Sequence, residues 1–286
     1  MSSQKIYVIN NLGEKELLSE AKIISSARRS GASLKLAKSI AEAIKLKVKN
    51  NTKTADIYSW IKSILLKQNP QLGMKYSLKE AIRKLGPMGY WFEKYISKLL
   101  QEYDYKAKIN QIIQGNCTDF EIDVLLLSER YKELIFGECK YHNQTGTRVN
   151  ISVILENYAS FLDLKEGKLA KDFLSKGYTS KRLIVTNTKF TSKAIDYANC
   201  YGVSLLGWKY PKDKGLEYYI ENNGFYPITI LPSINELAMS ELYDRNVIFA
   251  KQLLDPLVQK HLFKKPLNNV NLNKIINEAK ILYGLL

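Results

Sequence analysis

The chain has 286 residues, 45% of them hydrophobic and 25% charged, which is enough apolar material for more than one core. No apolar stretch approaches the roughly 20 residues of a membrane helix, and the polar start Met1-Ser2-Ser3-Gln4-Lys5 lacks the core of a signal peptide. The formal net charge is +15, and residues 1–75 hold 14 Lys/Arg against 5 Asp/Glu, a balance suited to a polyanion such as DNA; no membrane partner is expected.

Three cysteines (Cys117, Cys139, Cys200) lie outside CxxC or Cys/His spacing, which argues against a disulfide frame or a structural zinc. A reduced, cytoplasmic protein is expected. Lys5-Ile6-Tyr7-Val8-Ile9 reads as a strand and Asn11-Leu12-Gly13 as a turn. Ser19-Glu20-Ala21-Lys22 opens a helix that Gly31 closes. A second helix runs from Ser33 to Lys49 with Ala37, Ile40, Ala41, Ile44 and Val48 on its apolar face, and a third spans Ala55 to Lys67. Asn69-Pro70-Gln71-Leu72-Gly73 reads as a linker closing a first domain at residue 75.

Beyond Ser77 the pattern changes. A helix from Leu78 to Leu85, the turn Gly86-Pro87-Met88-Gly89 and an apolar helix from Tyr90 to Tyr103 come first. Strands follow at Lys106–Ile113, Phe120–Leu127 and Glu133–Tyr141, then a helix at Ile151–Leu164. Strand Arg182–Thr186, helix Ser192–Tyr201 and strand Val203–Trp208 complete an αβββαβαβ order. This order predicts an α/β domain over residues 76–232, a mixed central sheet flanked by helices. Residues 233–286 read as a helical C-terminal extension broken at Pro256 and Pro266.

The chemistry is carried by charges inside apolar strands. Asp123 lies in Ile122-Asp123-Val124-Leu125-Leu126-Leu127, and Glu138 and Lys140 lie in Leu134-Ile135-Phe136-Gly137-Glu138-Cys139-Lys140. A charge in a buried strand is costly unless paired or bound to a cation. Side chains alternate along a strand, so Glu138 and Lys140 share a face and Cys139 points to the other. Two carboxylates on neighbouring strands repel each other unless a hard cation such as Mg²⁺ sits between them. The bland alternative is a structural ion pair. His142 and Asn143 are either phosphate contacts or turn residues. Thr186-Asn187-Thr188-Lys189-Phe190-Thr191 can grip a phosphate or cap a helix through Thr191, and both can hold.

Residues 78–232 resemble the Mrr-type restriction endonuclease domain of the PD-(D/E)XK superfamily. The resemblance runs through Leu85-Gly86-Pro87-Met88-Gly89-Tyr90-Trp91-Phe92-Glu93, Phe120-Glu121-Ile122-Asp123, Glu138-Cys139-Lys140-Tyr141-His142-Asn143, Thr186 to Ala194, and Leu205-Leu206-Gly207-Trp208. It implies a restriction-endonuclease-like fold and Mg²⁺-dependent DNA cleavage (with Mn²⁺ as substitute) in restriction, defence or DNA processing. The implied catalytic residues are Glu93, Asp123, Glu138 and Lys140, with Asp123 and Glu138 as metal ligands. Residues 1–75 resemble an ATP-cone, which implies ATP or dATP as effector with Lys5, Lys22 and Arg28 as phosphate contacts. The family's Lys-Arg pair after the first strand is replaced here by Asn10-Asn11. Two alternatives stay open: a nucleotide-sensing DNA-binding protein that does not cleave, and a junction resolvase or exonuclease using the same metal site. Pairing of two copies as a homodimer is also left open.

Overall fold

The computed structural model describes residues 5–86, 89–267 and 271–286. Pro87 and Met88, in the turn expected before the Glu93 helix, lie outside the described residues, as do residues 1–4 at the polar start. The chain divides into two compact units: residues 1–81 with 228–286, and residues 82–227. The C-terminal helices, expected as a separate extension, thus belong to one unit with the N-terminal residues.

The first unit opens with β1 (Tyr7–Ile9) and β2 (Lys15–Leu17), followed by α1 (Glu20–Arg28), α2 (Leu34–Lys47), β3 (Thr52–Lys53), α3 (Thr54–Gln68), α4 (Pro70–Tyr76) and the first residues of α5 (Leu78–Arg83). The strands form one small sheet, with β1 between antiparallel β2 and parallel β3. Ser19 and Ser33 cap α1 and α2, their hydroxyls accepting the N–H of Lys22 and Leu36 at 3.2 Å, each worth about 1 kcal/mol. Ala37, Ile40, Ala41 and Ile44 of α2 are buried against Val8, Ile23, Ile57, Ile61 and Leu65, as their helical spacing predicts.

The expected linker at residues 69–73 is a correction. Asn69 caps α4 by accepting the Leu72 N–H at 3.1 Å, and Pro70 fills the first helical position, where no N–H is needed. Gly73 lets α4 lie against α3: a Cβ there would fall 2.6 Å from Leu66 Cγ. Proline and glycine here start and pack a helix rather than interrupt one.

The second unit contains α6 (Tyr90–Gln101), β4 (Lys106–Gln114), β5 (Asp119–Ser128), β6 (Glu133–Lys140), β7 (Arg148–Val149), α7 (Ile151–Leu164), α8 (Lys168–Leu174), β8 (Thr179–Thr186), β9 (Lys189–Phe190), α9 (Ser192–Tyr201), β10 (Ser204–Leu206) and α10 (Leu216–Asn222). Five strands form a mixed sheet in the order β10-β8-β6-β5-β4. β4, β5 and β6 pair antiparallel, whereas β6, β8 and β10 run parallel. This is an α/β fold with a mixed sheet flanked by helices. Short β7 and β9 make a separate parallel pair. Phe136, Ile122, Leu134, Leu164 and Ala170 form one core cluster, and Ile184, Phe190, Ala194, Ala198 and Leu205 belong to another.

The C-terminal segment carries α11 (Glu236–Asp244), α12 (Pro256–Lys264) and α13 (Leu272–Leu282). It is fastened within the first unit by Gln71 Nε2 donating to Leu282 O at 3.0 Å and Thr229 Oγ1 donating to Ala81 O at 2.8 Å. Pro256 begins α12, with Asp255 accepting the Leu257 N–H at 2.8 Å. Among the described residues, no helix is long and apolar enough to cross a membrane.

Candidate active site

Pairing register decides which side chains share a face. Leu125 lies opposite Phe136 and Val124 opposite Gly137, so Asp123 falls on the face that carries Phe136, Glu138 and Lys140. Phe136 lies opposite Arg182 on β8, which brings Arg182 to the same face. Gly137 makes the approach of β5 and β6 possible: a Cβ there would sit 2.7 Å from the Val124 carbonyl oxygen.

The ladder between β5 and β6 stops at Val124 and Gly137. One step on, the Cys139 N–H donates to Asp123 Oδ2 at 2.7 Å, so a carboxylate replaces the missing backbone acceptor. The β4–β5 ladder also lacks one pair here, without a change of register: Ile109 pairs with Val124 and Gln111 with Ile122, and Asn110 faces Asp123 between them. Asn110 has φ 51°, a left-handed conformation that asparagine tolerates better than most residues. Asp123 therefore stands where both neighbouring ladders loosen.

Four acidic groups act on one another. Burial pushes the Glu93 carboxyl, in the first turn of α6, up to about 7, helped by the negative charges of Asp123, Glu121 and Glu138. A helix N-terminus favours the anion, so desolvation and like charge outweigh the helix dipole. Burial also raises Asp123, opposed by the Cys139 N–H and by Arg182 and Lys140. Glu138 is raised by burial and by Asp123, again against Arg182 and Lys140. Lys140 Nζ lies 3.8 Å from Glu138 Oε1. The four residues singled out in the sequence are thus in electrostatic contact at one place.

Sequence reasoning missed the cation at the centre. Arg182 is 3% exposed. Its NH2 donates to Glu138 Oε2 at 3.3 Å, and its Nε donates to Asn157 Oδ1 at 3.1 Å, with NH2 also bonded to Asn157. Arg182 NH1 is buried with no hydrogen-bond partner. Asn157 is aimed by its own Nδ2, which donates to Val153 O at 2.9 Å within α7. The signal was available: Arg182 is a charge in the apolar run Leu183-Ile184-Val185, the same anomaly that marks Asp123.

The threonine stretch has structural partners of its own. Thr186, Asn187 and Thr188 are buried. Thr186 Oγ1 donates to Lys140 O at 2.6 Å, and Asn187 clasps the backbone of His142, accepting from its N at 2.9 Å and donating to its O at 2.7 Å. These groups tie the end of β6 to the end of β8. Thr191 caps α9 by accepting the Ala194 N–H at 3.3 Å. Burial and Lys140 lower the His142 pKa.

In the first unit, Lys5, Lys22 and Arg28 are exposed. Lys22 Nζ is 2.8 Å from Glu16 Oε2 on β2, a pairing that competes with any phosphate.

The donor set can be tested against a cation. Among the described residues, no group of three or more His, Cys, Asp or Glu side chains is arranged to hold a metal ion. That is compatible with Mg²⁺, which keeps several waters and binds through one or two carboxylates plus substrate phosphate. Asp123 Oδ1 and Glu138 Oε1 are the oxygens left by the Cys139 and Arg182 contacts.

Known proteins place the chain in a family. Residues 226–283 match the family model described as AF1548-like, C-terminal. An uncharacterized protein of Archaeoglobus fulgidus is 35% identical over 189 residues, covering 66% of this chain and all of that protein. A solved structure described as a protein of unknown function, AF1548, is similar at 33% identity and a TM-score of 0.53, over 68% of this chain and 98% of the other. This chain is a member of the AF1548-like family.

Proposed function

We propose that the second unit is a Mg²⁺-dependent deoxyribonuclease with a restriction-endonuclease-like site that hydrolyses phosphodiester bonds. The observation that carries this reading is the register that puts Asp123 and Glu138 on one face where β5 and β6 part, within the electrostatic reach of Glu93 and Lys140. The +15 charge supports DNA as the substrate.

When bound, the cation supplies Lewis acidity toward a phosphate oxygen and lowers the pKa of a water. Asp123 and Glu138 would hold it, with Asp123 fixed through Oδ2 by the Cys139 N–H. Lys140 places an ammonium beside the charge that develops on the phosphorus-bound oxygens. Glu93, whose carboxyl burial and the neighbouring carboxylates raise in the cation-free site, would orient Lys140 or complete the shell of a second cation.

Incubating supercoiled plasmid with the protein and Mg²⁺ or Mn²⁺, beside an Asp123→Ala control, tests the proposal. Nicked or linear product from the parent protein alone is expected. Equal cleavage by the control would remove the site, and salt-sensitive DNA binding without cleavage in any divalent cation would favour a binding protein instead.

A further inference from the structure

Arg182 is a full positive charge built into the acidic site, and its surroundings were assembled to keep it there. A guanidinium 3% exposed is costly to bury without partners. Two of its three nitrogens are fixed by Asn157, which is itself locked to α7 through Val153 O. Its reach to Glu138 is a single contact of 3.3 Å, the longest of the set. The chain thus spends its best geometry on anchoring the guanidinium to the helix and gives Glu138 the looser contact. NH1, buried and without a hydrogen-bond partner, shows that the pocket does not satisfy the group by itself. A purely structural ion pair would be expected to show the reverse, with a two-nitrogen grip on the carboxylate.

We propose that Arg182 is a positioning residue acting as the resident counter-cation of the site. It holds Glu138 in place while no divalent cation is bound, and it competes with an arriving cation for that carboxylate. This inference rests on the cation-site reading of Asp123 and Glu138. Its consequence is that Arg182 weakens binding of the free ion, so that tight uptake waits for the added negative charge of a DNA phosphate.

The test is calorimetric titration of the full chain with Mn²⁺ at pH 8, paired with thermal melts in chelator and in saturating Mn²⁺. For Arg182→Gln, tighter Mn²⁺ binding is expected by about tenfold, the scale on which outer-sphere partners tune metal affinity. A lower Tm than the parent in chelator and a larger Mn²⁺-induced rise in Tm should accompany it. Arg182→Lys, which keeps the charge, should stay within about twofold of the parent affinity. If Arg182→Gln does not fold, Arg182→Met, which removes the charge but keeps a long side chain, should shift affinity in the same direction. Unchanged or weaker Mn²⁺ binding in whichever of Arg182→Gln and Arg182→Met folds would overturn the inference alone. No Mn²⁺ binding by the parent protein, or equal binding by Asp123→Ala, would overturn the site reading and this inference with it.

Discussion

Asp123 Oδ2 accepts the Cys139 N–H at 2.7 Å, so one carboxylate oxygen finishes a β-ladder that the backbone leaves open. The contact fixes the carboxylate at the point where two strands separate. It also ties the position of Asp123 to the residue between Glu138 and Lys140.

Lys140 is expected to act on charge that appears during reaction. Lys140→Ala should lower the single-turnover cleavage rate roughly 10²–10³-fold, the range found when one transition-state donor is removed. DNA affinity, measured in the same buffer by fluorescence anisotropy, should change by no more than one lost phosphate contact predicts. A fall in affinity with an unchanged rate would reassign Lys140 to gripping the DNA backbone.

Glu93 predicts a pH-dependent stability with a definite sign. Below its ordinary value of 4.5 the carboxyl is protonated in both folded and unfolded chains and contributes no difference. Between 4.5 and about 7 only the folded chain keeps the proton, so stability falls as pH rises through this window. Above it, the fold carries a desolvated anion among other carboxylates. Glu93→Gln should therefore be more stable than the parent at pH 8 and closely similar at pH 4.5, read from urea midpoints. A parent-like midpoint at pH 8 would mean that the carboxylate is not strained there.

The site was legible where a residue contradicted its local surroundings. Asp123, Glu138 and Lys140 stand out because apolar strands surround them. The ends of α7 and α9 were legible too, since Asn150 and Thr191 cap them and Gly202 closes α9 in the left-handed region. Glu93 had no such signal, because a glutamate in the first turn of a helix is commonplace and only the resemblance selected it. Arg182 carried the same anomaly as Asp123 but sat behind the polar entry Thr179-Ser180-Lys181, which hid the true start of β8. α8 and α10, each of 7 residues, were too short for periodicity to reveal. The strands β2 and β3, of 3 and 2 residues, offered no alternation to read. The structural partners of buried Thr186-Asn187-Thr188 were not legible, because polar residues at a strand end serve either ligands or the backbone and the sequence does not show which groups they meet.

Gly137 makes a stability prediction independent of any activity. Gly137→Ala would drive a methyl group to 2.7 Å from the Val124 carbonyl oxygen, and neither strand can yield without breaking pairs on both sides. A loss of about 1–3 kcal/mol is expected, as for overpacked sites. It should be read from the shift in urea midpoint at constant slope. The Cys139–Asp123 contact should loosen with it, so cleavage should fall further than the fraction folded accounts for.

The left-handed Asn110 has a bearing on solubility. β4 ends the five-stranded sheet, and Ile112 on it is 65% exposed, which on an unbroken border would invite strands from other molecules to add on. The left-handed Asn110, φ 51°, breaks the regular extended geometry midway along that border, and the exposed Lys106 and Lys108 place charge on it. The same residue that loosens the sheet beside Asp123 makes its rim a poor template for intermolecular aggregation.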